Sequence, residues 1–194
     1  MILWYDILHY WRVGIRSADA SMDGRLSPAK TLAAVKNSLD FLGTGASKLT
    51  SDREFREAVM RVTRNGSTVR LLLSQPDSSN LRATAQRSRK PVDAYERVVK
   101  ESLRVIADLY TQQAAQIEVR FYTDIRRFRL MFIDEKVCLF SYNVYASENP
   151  LGFPALTVVR ATEEEVRSFY WALEHYFGDE WDQARPWDFQ EFLT

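Results

Sequence analysis

The clearest pattern of hydrophobic and polar positions lies between residues 117 and 143. Apolar and polar side chains alternate over residues 117–122, which is the period of a half-buried strand. Two strongly apolar runs follow at 127–133 and 137–140, and a short polar turn at 134–136 joins them. Strands this apolar usually lie inside a sheet with both faces covered. The pattern therefore predicts three consecutive strands at the centre of the fold.

A strand–helix–strand unit is predicted upstream of this region. The run 38–45 has the pattern of a strand that ends in glycines, and the run 68–73 that of a short buried strand. Between them, a capping box at 51–54 predicts the start of a helix. Such a unit predicts a parallel pair of strands. Ser47 and Ser74 follow or end these strands, where open α/β sheets place their ligands.

Start and stop signals place three further helices. The pair Ser27-Pro28 predicts one that runs to about Asn37. Pro91 predicts the start of a longer helix, whose apolar positions recur at helical spacing. A second capping box at 162–165 predicts a last helix, with an aromatic stripe that runs up to Gly178. Strands and helices in this order predict an α/β fold, a mixed β-sheet flanked by helices.

The α/β domain is expected to cover residues 27–194, preceded by an aromatic N-terminal arm and a connector at 1–26. Residues 17–26 are polar and contain a glycine, which favours a connector. Before it stand four large aromatic residues, Trp4, Tyr5, Tyr10 and Trp11. Such residues are favoured interface anchors. The arm is therefore expected to pack either on its own domain or on a protein partner.

Composition narrows the class of protein. The 194 residues are 46 % apolar and 27 % charged, and the formal net charge is zero. No global field therefore draws the chain to nucleic acid or to an anionic membrane. Residues 82–104 carry seven cations and three acids, which we interpret as a solvated helix face.

The chain has neither a signal-peptide pattern nor a run of the roughly 18 apolar residues that a membrane span needs, so a cytoplasmic location is expected.

Most catalytic and metal chemistries lack the residues that they need. The single cysteine, Cys138, lies in an apolar run, which excludes an intrachain disulfide and a zinc-finger site. The two histidines, His9 and His175, stand far apart in sequence. No Ser-His-Asp or Cys-His arrangement can be assembled from them. The sequence therefore predicts no catalytic residues, no metal and no cofactor.

Two arginines in the apolar hairpin carry the strongest functional signal. Arg127 and Arg129 stand two residues apart, so on a strand their side chains would leave the same face. Two neighbouring cations in a hydrophobic hairpin repel each other and lose solvation unless an anion lies near them. The pair therefore predicts either an anion-binding pocket or a solvated strand end with carboxylate partners.

The same residues carry a resemblance to a known family. The frame Arg127-x-Arg129-x4-Asp134, followed by Ser141-Tyr142-Asn143, resembles the core hairpin of the phospholipase D superfamily, whose signature is His-x-Lys-x4-Asp and then Gly-Ser-x-Asn. The aspartate stands at the family spacing, whereas arginines replace the histidine and the lysine. The asparagine comes one residue early and the glycine is missing. The order of predicted elements supports one repeat of that fold over residues 35–185.

The resemblance implies a domain that binds without cleaving. Enzymes of this superfamily use the motif histidine as nucleophile, whereas an arginine stays protonated and cannot attack phosphorus. Arginine keeps the forked hydrogen bonds that recognise an oxyanion. We therefore expect a catalytically inactive domain that senses a phosphate- or nucleotide-bearing ligand. The ligand-binding residues expected are Arg127, Arg129, Ser47, Ser74, Ser141 and Asn143.

Two other functions stay open at this point. In one, the fold is an interaction scaffold in a multi-protein complex, and the arginines pair with Asp134 or Glu135. In the other, a residual phosphodiesterase or nuclease acts through an unfamiliar nucleophile. Single-repeat members of the superfamily pair two chains about the motif, so the resemblance also implies a homodimer.

Overall fold

A computed structural model describes residues 10–21, 27–143, 154–160 and 168–189, and the fold is built from these. The strands are β1 (Ile15–Asp19), β2 (Leu39–Gly43), β3 (Val69–Ser74), β4 (Ile117–Tyr122), β5 (Phe128–Ile133), β6 (Val137–Tyr142), β7 (Ala155–Val159) and β8 (Arg185–Pro186). The helices are α1 (Pro28–Ala34), α2 (Ser47–Thr50), α3 (Arg53–Arg64), α4 (Ser79–Arg87), α5 (Ala94–Gln113) and α6 (Phe169–Gln183).

The eight strands form one mixed sheet, in the order β1-β7-β6-β5-β2-β3-β4-β8. The three strands β2, β3 and β4 run parallel. Strand β5 runs antiparallel to β2, and β6 and β7 continue antiparallel from it. The predicted fold class, a mixed sheet flanked by helices, is confirmed, and so is the parallel pair of the strand–helix–strand unit.

Alternating side chains divide the core into two layers. The first face of the sheet carries Phe41, Leu71, Val119 and Met131, and helices α1 to α5 cover it. The second face carries Leu42, Leu72, Leu130, Phe132 and Cys138, and helix α6 covers it. Strands β2, β3 and β5 are therefore buried on both sides, which explains why their sequences are mostly apolar. Each strand has one charged residue, Asp40, Arg70 and Arg129 respectively.

Arginine side chains on the second face lie against the aromatic rings of α6. The guanidinium carbon of Arg70 is 5.2 Å from the ring centre of Phe177 and 5.4 Å from that of Trp181. Arg70 also donates to both carboxylate oxygens of Asp40, and this ion pair raises the pKa of Arg70. Arg120 lies 4.7 Å from the Trp181 ring and donates to the Trp181 carbonyl oxygen at 2.9 Å. Trp181 thus connects α6 to β3 and β4.

Two predicted helix boundaries, the end of α1 and the start of α3, are wrong. A tertiary contact explains the first, and a local cap explains the second. Helix α1 ends at Ala34 instead of Asn37, because the Arg61 side chain binds the carbonyl oxygens of Leu32 and Val35 at 2.7 and 2.9 Å. Helix α3 begins after Asp52, whose carboxylate accepts from the Glu54 N–H at 2.9 Å.

The predicted capping box at Ser51 is therefore not the cap. The short helix α2, which the sequence pattern does not reveal, ends at that serine: the Ser51 N–H donates to the Ser47 carbonyl oxygen at 2.9 Å.

The two long helices also differ from their predicted limits. Helix α5 begins at Ala94, after a turn in which the Ala94 N–H donates to the Pro91 carbonyl oxygen at 2.9 Å. Helix α6 runs through Gly178 and ends at Gln183. A glycine in a helix costs only about 1 kcal/mol, and the extra turn buries Trp181 in the core of the second face. The predicted capping box at 162–165 lies outside the described residues.

Part of the predicted connector is a strand. Residues Ile15–Asp19 form β1, which pairs antiparallel with β7 at one edge of the sheet. The Phe169 N–H donates to the Val13 carbonyl oxygen at 2.9 Å, which joins this edge to the start of α6. The arm residues 1–9 lie outside the described part of the chain, and the domain boundary at residue 27 stays a prediction.

Asp134 fixes the turn between β5 and β6 to the chain that leads into β2. Its carboxylate accepts hydrogen bonds from the backbone N–H groups of Lys36, Asn37 and Ser38, at 3.0, 2.6 and 3.2 Å. Burial alone would raise the pKa of Asp134, but the three N–H groups outweigh burial and lower it. The aspartate at the family spacing is therefore a structural residue here.

Replacing Asp134 by asparagine should lower the free energy of unfolding by about 1–2 kcal/mol, measured by urea denaturation. Asparagine accepts less strongly than a carboxylate, yet it tolerates the left-handed backbone of this turn (φ 52°). Because the folded-state pKa is lowered, the carboxylate stabilises the protein above its ordinary pKa of about 4 and loses this effect as the pH falls. The gap between wild type and variant should therefore close on acidification.

The neighbouring turn residue Glu135, which is exposed, provides the control. Glu135→Gln should change the free energy of unfolding by less than about 0.5 kcal/mol. Equal effects of the two substitutions at neutral pH would contradict this role of Asp134.

Candidate anion-binding site at the sheet edge

The candidate site lies where four strands reach the same edge of the sheet. The parallel strands β2 and β3 end there, at Gly43 and Ser74. Strand β5 runs antiparallel to β2 and therefore begins at this edge, with Leu130 opposite Leu42. Strand β6 ends beside the start of β5, where Arg129 stands opposite Ser141. The register of the sheet thus brings Arg129, Ser141 and the loop after β2 together.

Asn143 fixes the start of β5. Its side-chain oxygen accepts from the Arg129 guanidinium at 3.3 Å, and its side-chain N–H donates to the Phe128 carbonyl oxygen at 3.3 Å. The Asn143 backbone N–H donates to the Arg127 carbonyl oxygen at 2.6 Å. One asparagine therefore contacts all three residues 127–129.

Arg129 and Arg127 differ in setting. Arg129 pairs with Ser141 in the sheet, so its side chain projects from the first face, as those of Met131 and Leu139 do. It is half-buried. Arg127 is exposed and precedes β5, because the strand begins at Phe128 and not at Arg127 as predicted. The alternation rule of a strand therefore does not fix the direction of the Arg127 side chain.

The predicted serines do not all lie on the same side of the sheet. Ser141 is buried on the first face, opposite Arg129. Ser47 is half-buried at the start of α2, in the loop region that follows β2. Ser74 is 0 % exposed and pairs with Tyr122, whose ring belongs to the second face. The Ser74 hydroxyl therefore lies on the opposite face from Arg129.

The scaffold interpretation expected Arg127 and Arg129 to pair with Asp134 or Glu135, and the structure does not place these residues together. Asp134 follows the far end of β5. At about 3.3 Å per residue, it is roughly 16 Å along the strand from Arg129. Glu135 lies one residue farther in the same turn, so it is equally remote.

Helix α6 holds the loop that precedes β5. Arg126 forms an ion pair with Glu180, and both side chains are mostly buried. The Arg126 guanidinium carbon lies 5.6 Å from the Tyr122 ring centre, and the Tyr176 ring lies 5.0 Å from that of Phe128. Burial, together with Glu180, raises the pKa of Tyr176 to about 12, although Arg126 opposes the shift. Sequence reasoning missed this cluster, because Glu180 stands 54 residues from Arg126 and only the fold joins them.

The described residues place neither a histidine nor a reactive thiol beside Arg129. His175 is exposed on α6, where its Nδ1 lies 2.9 Å from the Trp171 carbonyl oxygen. Helix α6 covers the second face, whereas the Arg129 side chain projects from the first face. Cys138 is buried on the second face, and burial raises the pKa of its thiol. His9 lies outside the described residues.

The described residues form neither a candidate metal-binding cluster nor a membrane-spanning helix. No group of three or more His, Cys, Asp or Glu side chains placed to hold a metal ion occurs among them. Within the same residues, every helix is too short or too polar to cross a membrane.

Comparison with solved structures identifies the fold. The chain is similar to Nuc from Salmonella typhimurium, a phospholipase D family member, with 11 % identity, a TM-score of 0.53, and coverage of 88 % of this chain and 96 % of that one. Phosphatidylserine synthase from Haemophilus influenzae gives 12 % identity and a TM-score of 0.58 over 90 % of this chain and 40 % of that one.

The chain has the phospholipase D-like fold.

The same fold occurs in TrmBL2, an archaeal chromatin protein described with a novel mode of DNA binding. It is 13 % identical to this chain, with a TM-score of 0.50, and the alignment covers 89 % of this chain and 54 % of TrmBL2. The phospholipase D-like chain thus spans about half the length of that protein. No family model matches the sequence, and no curated protein matches it. The structural similarity establishes the shared fold, and at 11 to 13 % identity it does not extend to the motif residue by residue.

Proposed function

We propose that this phospholipase D-like domain binds an anionic, phosphate-bearing ligand without hydrolysing it, and that it works as a sensor or regulatory module. The observation that supports this most is the cationic start of β5. Arg129 leaves the first face beside Ser141, Asn143 ties residues 127–129 together, and Arg127 precedes the strand in an exposed position. Guanidinium groups at the end of a sheet suit forked hydrogen bonds to phosphate oxygens.

The chemistry of the residues near this edge supports binding over cleavage. A phosphohistidine mechanism needs an imidazole beside the phosphorus atom, and arginine stays protonated at neutral pH. His175 projects from the helix that covers the opposite face, and Cys138 is buried there. In this proposal, arginines stand where the family has its histidine and lysine.

Neutral hydrogen-bond donors complete the proposed site. Asn143 and Ser141 lie beside Arg129, and Ser47 stands at the start of α2 after the loop that follows β2. Ser74 takes no part in this version of the site, because its side chain is buried on the other face. The ligand-binding residues proposed are therefore Arg127, Arg129, Ser141, Asn143 and Ser47.

Thermal denaturation with inorganic phosphate, sulfate and nucleotides tests the proposal. At about ten times its Kd, a ligand stabilises the folded state by about 1.4 kcal/mol and raises the Tm of a chain this long by about 3–5 °C. The double variant Arg127→Ala/Arg129→Ala should lose this shift. Arg53→Ala/Arg97→Ala removes the same charge from exposed helix ion pairs and should keep it.

Each outcome decides between the functions. An anion-dependent shift that survives the loss of Arg127 and Arg129 would refute the proposed site. A chain that responds to no anion, yet retains a protein partner, would favour the interaction scaffold. That second candidate has an observation of its own, since Tyr10 is 54 % and Trp11 is 58 % exposed. Because TrmBL2 shares the fold, a short DNA oligonucleotide is included among the ligands tested. The zero net charge of the chain predicts that it does not bind.

We further propose that the protein is a cytoplasmic homodimer in which two such edges face each other. Tyr142, 44 % exposed and next to Asn143, gives this edge an aromatic residue of the kind that interfaces favour. Light scattering after size exclusion should give twice the monomer mass. A monomer mass in the wild type, at the concentration of the binding experiments, would contradict the dimer.

A further inference from the structure

A second concave surface lies three strands across the sheet from Arg129. It is a cleft of about 300 Å³ between helix α5, the loop after β3 and the segment 185–188. Its floor consists of Leu103, Phe121 and Trp187. Phe121 pairs with Arg185 in the sheet, and the backbone N–H of Trp187 donates to the Val119 carbonyl oxygen at 2.9 Å. The floor is therefore fixed to β4.

The floor suits a flat apolar group. The Phe121 and Trp187 ring centres lie 6.4 Å apart with the rings tilted by 57°, and Leu103 is buried beside them in the core. Small-molecule sites combine such an apolar floor with a few polar groups, and they occur at the carboxyl ends of parallel strands. Both conditions hold here, because β3 and β4 end at this cleft.

The rim carries balanced charge. Lys100 and Arg185 supply two cations, and Asp77 and Asp188 supply two carboxylates. The Lys100 ammonium group also pairs with Glu96 at 2.7 Å, at the outer side of this rim. Gln75 orients one of the carboxylates, because its side-chain N–H donates to Asp77 at 2.9 Å. A rim with both signs favours a ligand with both signs, since a carboxylate pair repels a ligand of net negative charge.

We propose that this cleft binds a small zwitterion with a flat ring, the chemistry of an aromatic amino acid. The ring contacts Phe121 and Trp187, the ligand carboxylate approaches Lys100 and Arg185, and its ammonium group approaches the aspartates. A nucleotide fits this cleft less well, because its phosphate group would be repelled by the carboxylates of the two aspartates. The site goes beyond the anion-binding function and does not depend on it.

Nuclear magnetic resonance of the full chain tests the proposal with L-phenylalanine as the probe. The indole N–H signal of Trp187, assigned by its absence in Trp187→Phe, should shift saturably as the probe is raised to about 10 mM, enough to saturate a site with a Kd near 1 mM. Lys100→Ala and Arg185→Ala should each raise the Kd about threefold or more. Arg104→Ala, exposed on the same helix outside the cleft, should leave it unchanged.

Matched probes separate the alternatives. Phenylpropionate lacks the ammonium group and phenethylamine lacks the carboxylate, so each should bind about threefold or more weakly. The Arg127→Ala/Arg129→Ala variant should bind phenylalanine as the wild type does, which keeps this result independent of the proposed function. An unmoved Trp187 signal, equal binding of the three probes, or tighter binding of adenosine monophosphate would each overturn the proposal.

Discussion

Replacing Trp181 by alanine is expected to lower the free energy of unfolding by about 3–5 kcal/mol. The indole is buried between α6 and the second face of the sheet, where it packs against Phe177 and against the guanidinium groups of Arg70 and Arg120. Removing it leaves a cavity and takes away an aromatic surface on which two cations rest. Chemical denaturation followed by far-ultraviolet circular dichroism measures the loss.

The matched control is Trp171→Ala on the same helix. Trp171 is exposed and contacts His175, so its loss should cost less than about 1 kcal/mol. If both tryptophans proved equally dispensable, Trp181 would not be the side chain that joins α6 to the sheet.

Replacing Glu180 by glutamine is expected to lower the free energy of unfolding by about 2–3 kcal/mol and to weaken anion binding at Arg127. The substitution keeps the shape of the side chain but leaves the Arg126 guanidinium mostly buried without its charge partner. Arg126 belongs to the loop that carries Arg127, so a shift of this loop moves the proposed binding residues. Denaturation and phosphate titration of the same sample measure the two effects.

Glu174→Gln is the control for this second effect. Glu174 lies on the same helix and pairs with Arg160, but that pair is more exposed, so its loss should cost less than about 1 kcal/mol. Arg126→Gln/Glu180→Gln should recover part of the stability, because it removes both charges. If the Glu180→Gln protein were destabilised but bound anions with wild-type affinity, the Arg126–Glu180 ion pair would not position the binding site.

The central strands could be predicted from sequence because a buried strand has a local signature. Apart from Arg129, the run that forms β5 is apolar on both faces, and the turn at 134–136 separates it from β6. The end of α1 could not be predicted in this way. Arg61 and Asp134 fix it from 26 or more residues away, and such contacts leave no periodic trace.

The candidate site was predictable to a similar extent. Arg129, Ser141 and Asn143 stand close in sequence on two paired strands, so a hairpin alone brings them together. Ser74 ends β3 at this edge, as predicted, but lies on the opposite face from Arg129, because a strand end predicts the edge of a sheet and not the face that a side chain takes. The Arg126–Glu180 pair was missed, since its two residues meet only when α6 packs on the sheet.

Binding and hydrolysis of bis(4-nitrophenyl) phosphate, measured on one sample, test the central claim most directly. Titration calorimetry should show saturable binding to the wild type and at least a tenfold weaker affinity in Arg127→Ala/Arg129→Ala, because each arginine–phosphate hydrogen bond contributes about 1.5–3 kcal/mol. The diester should be recovered intact, with no nitrophenolate released. Nitrophenolate release that depends on Arg127 and Arg129, or no binding to the folded wild type, would contradict a site that binds without cleaving.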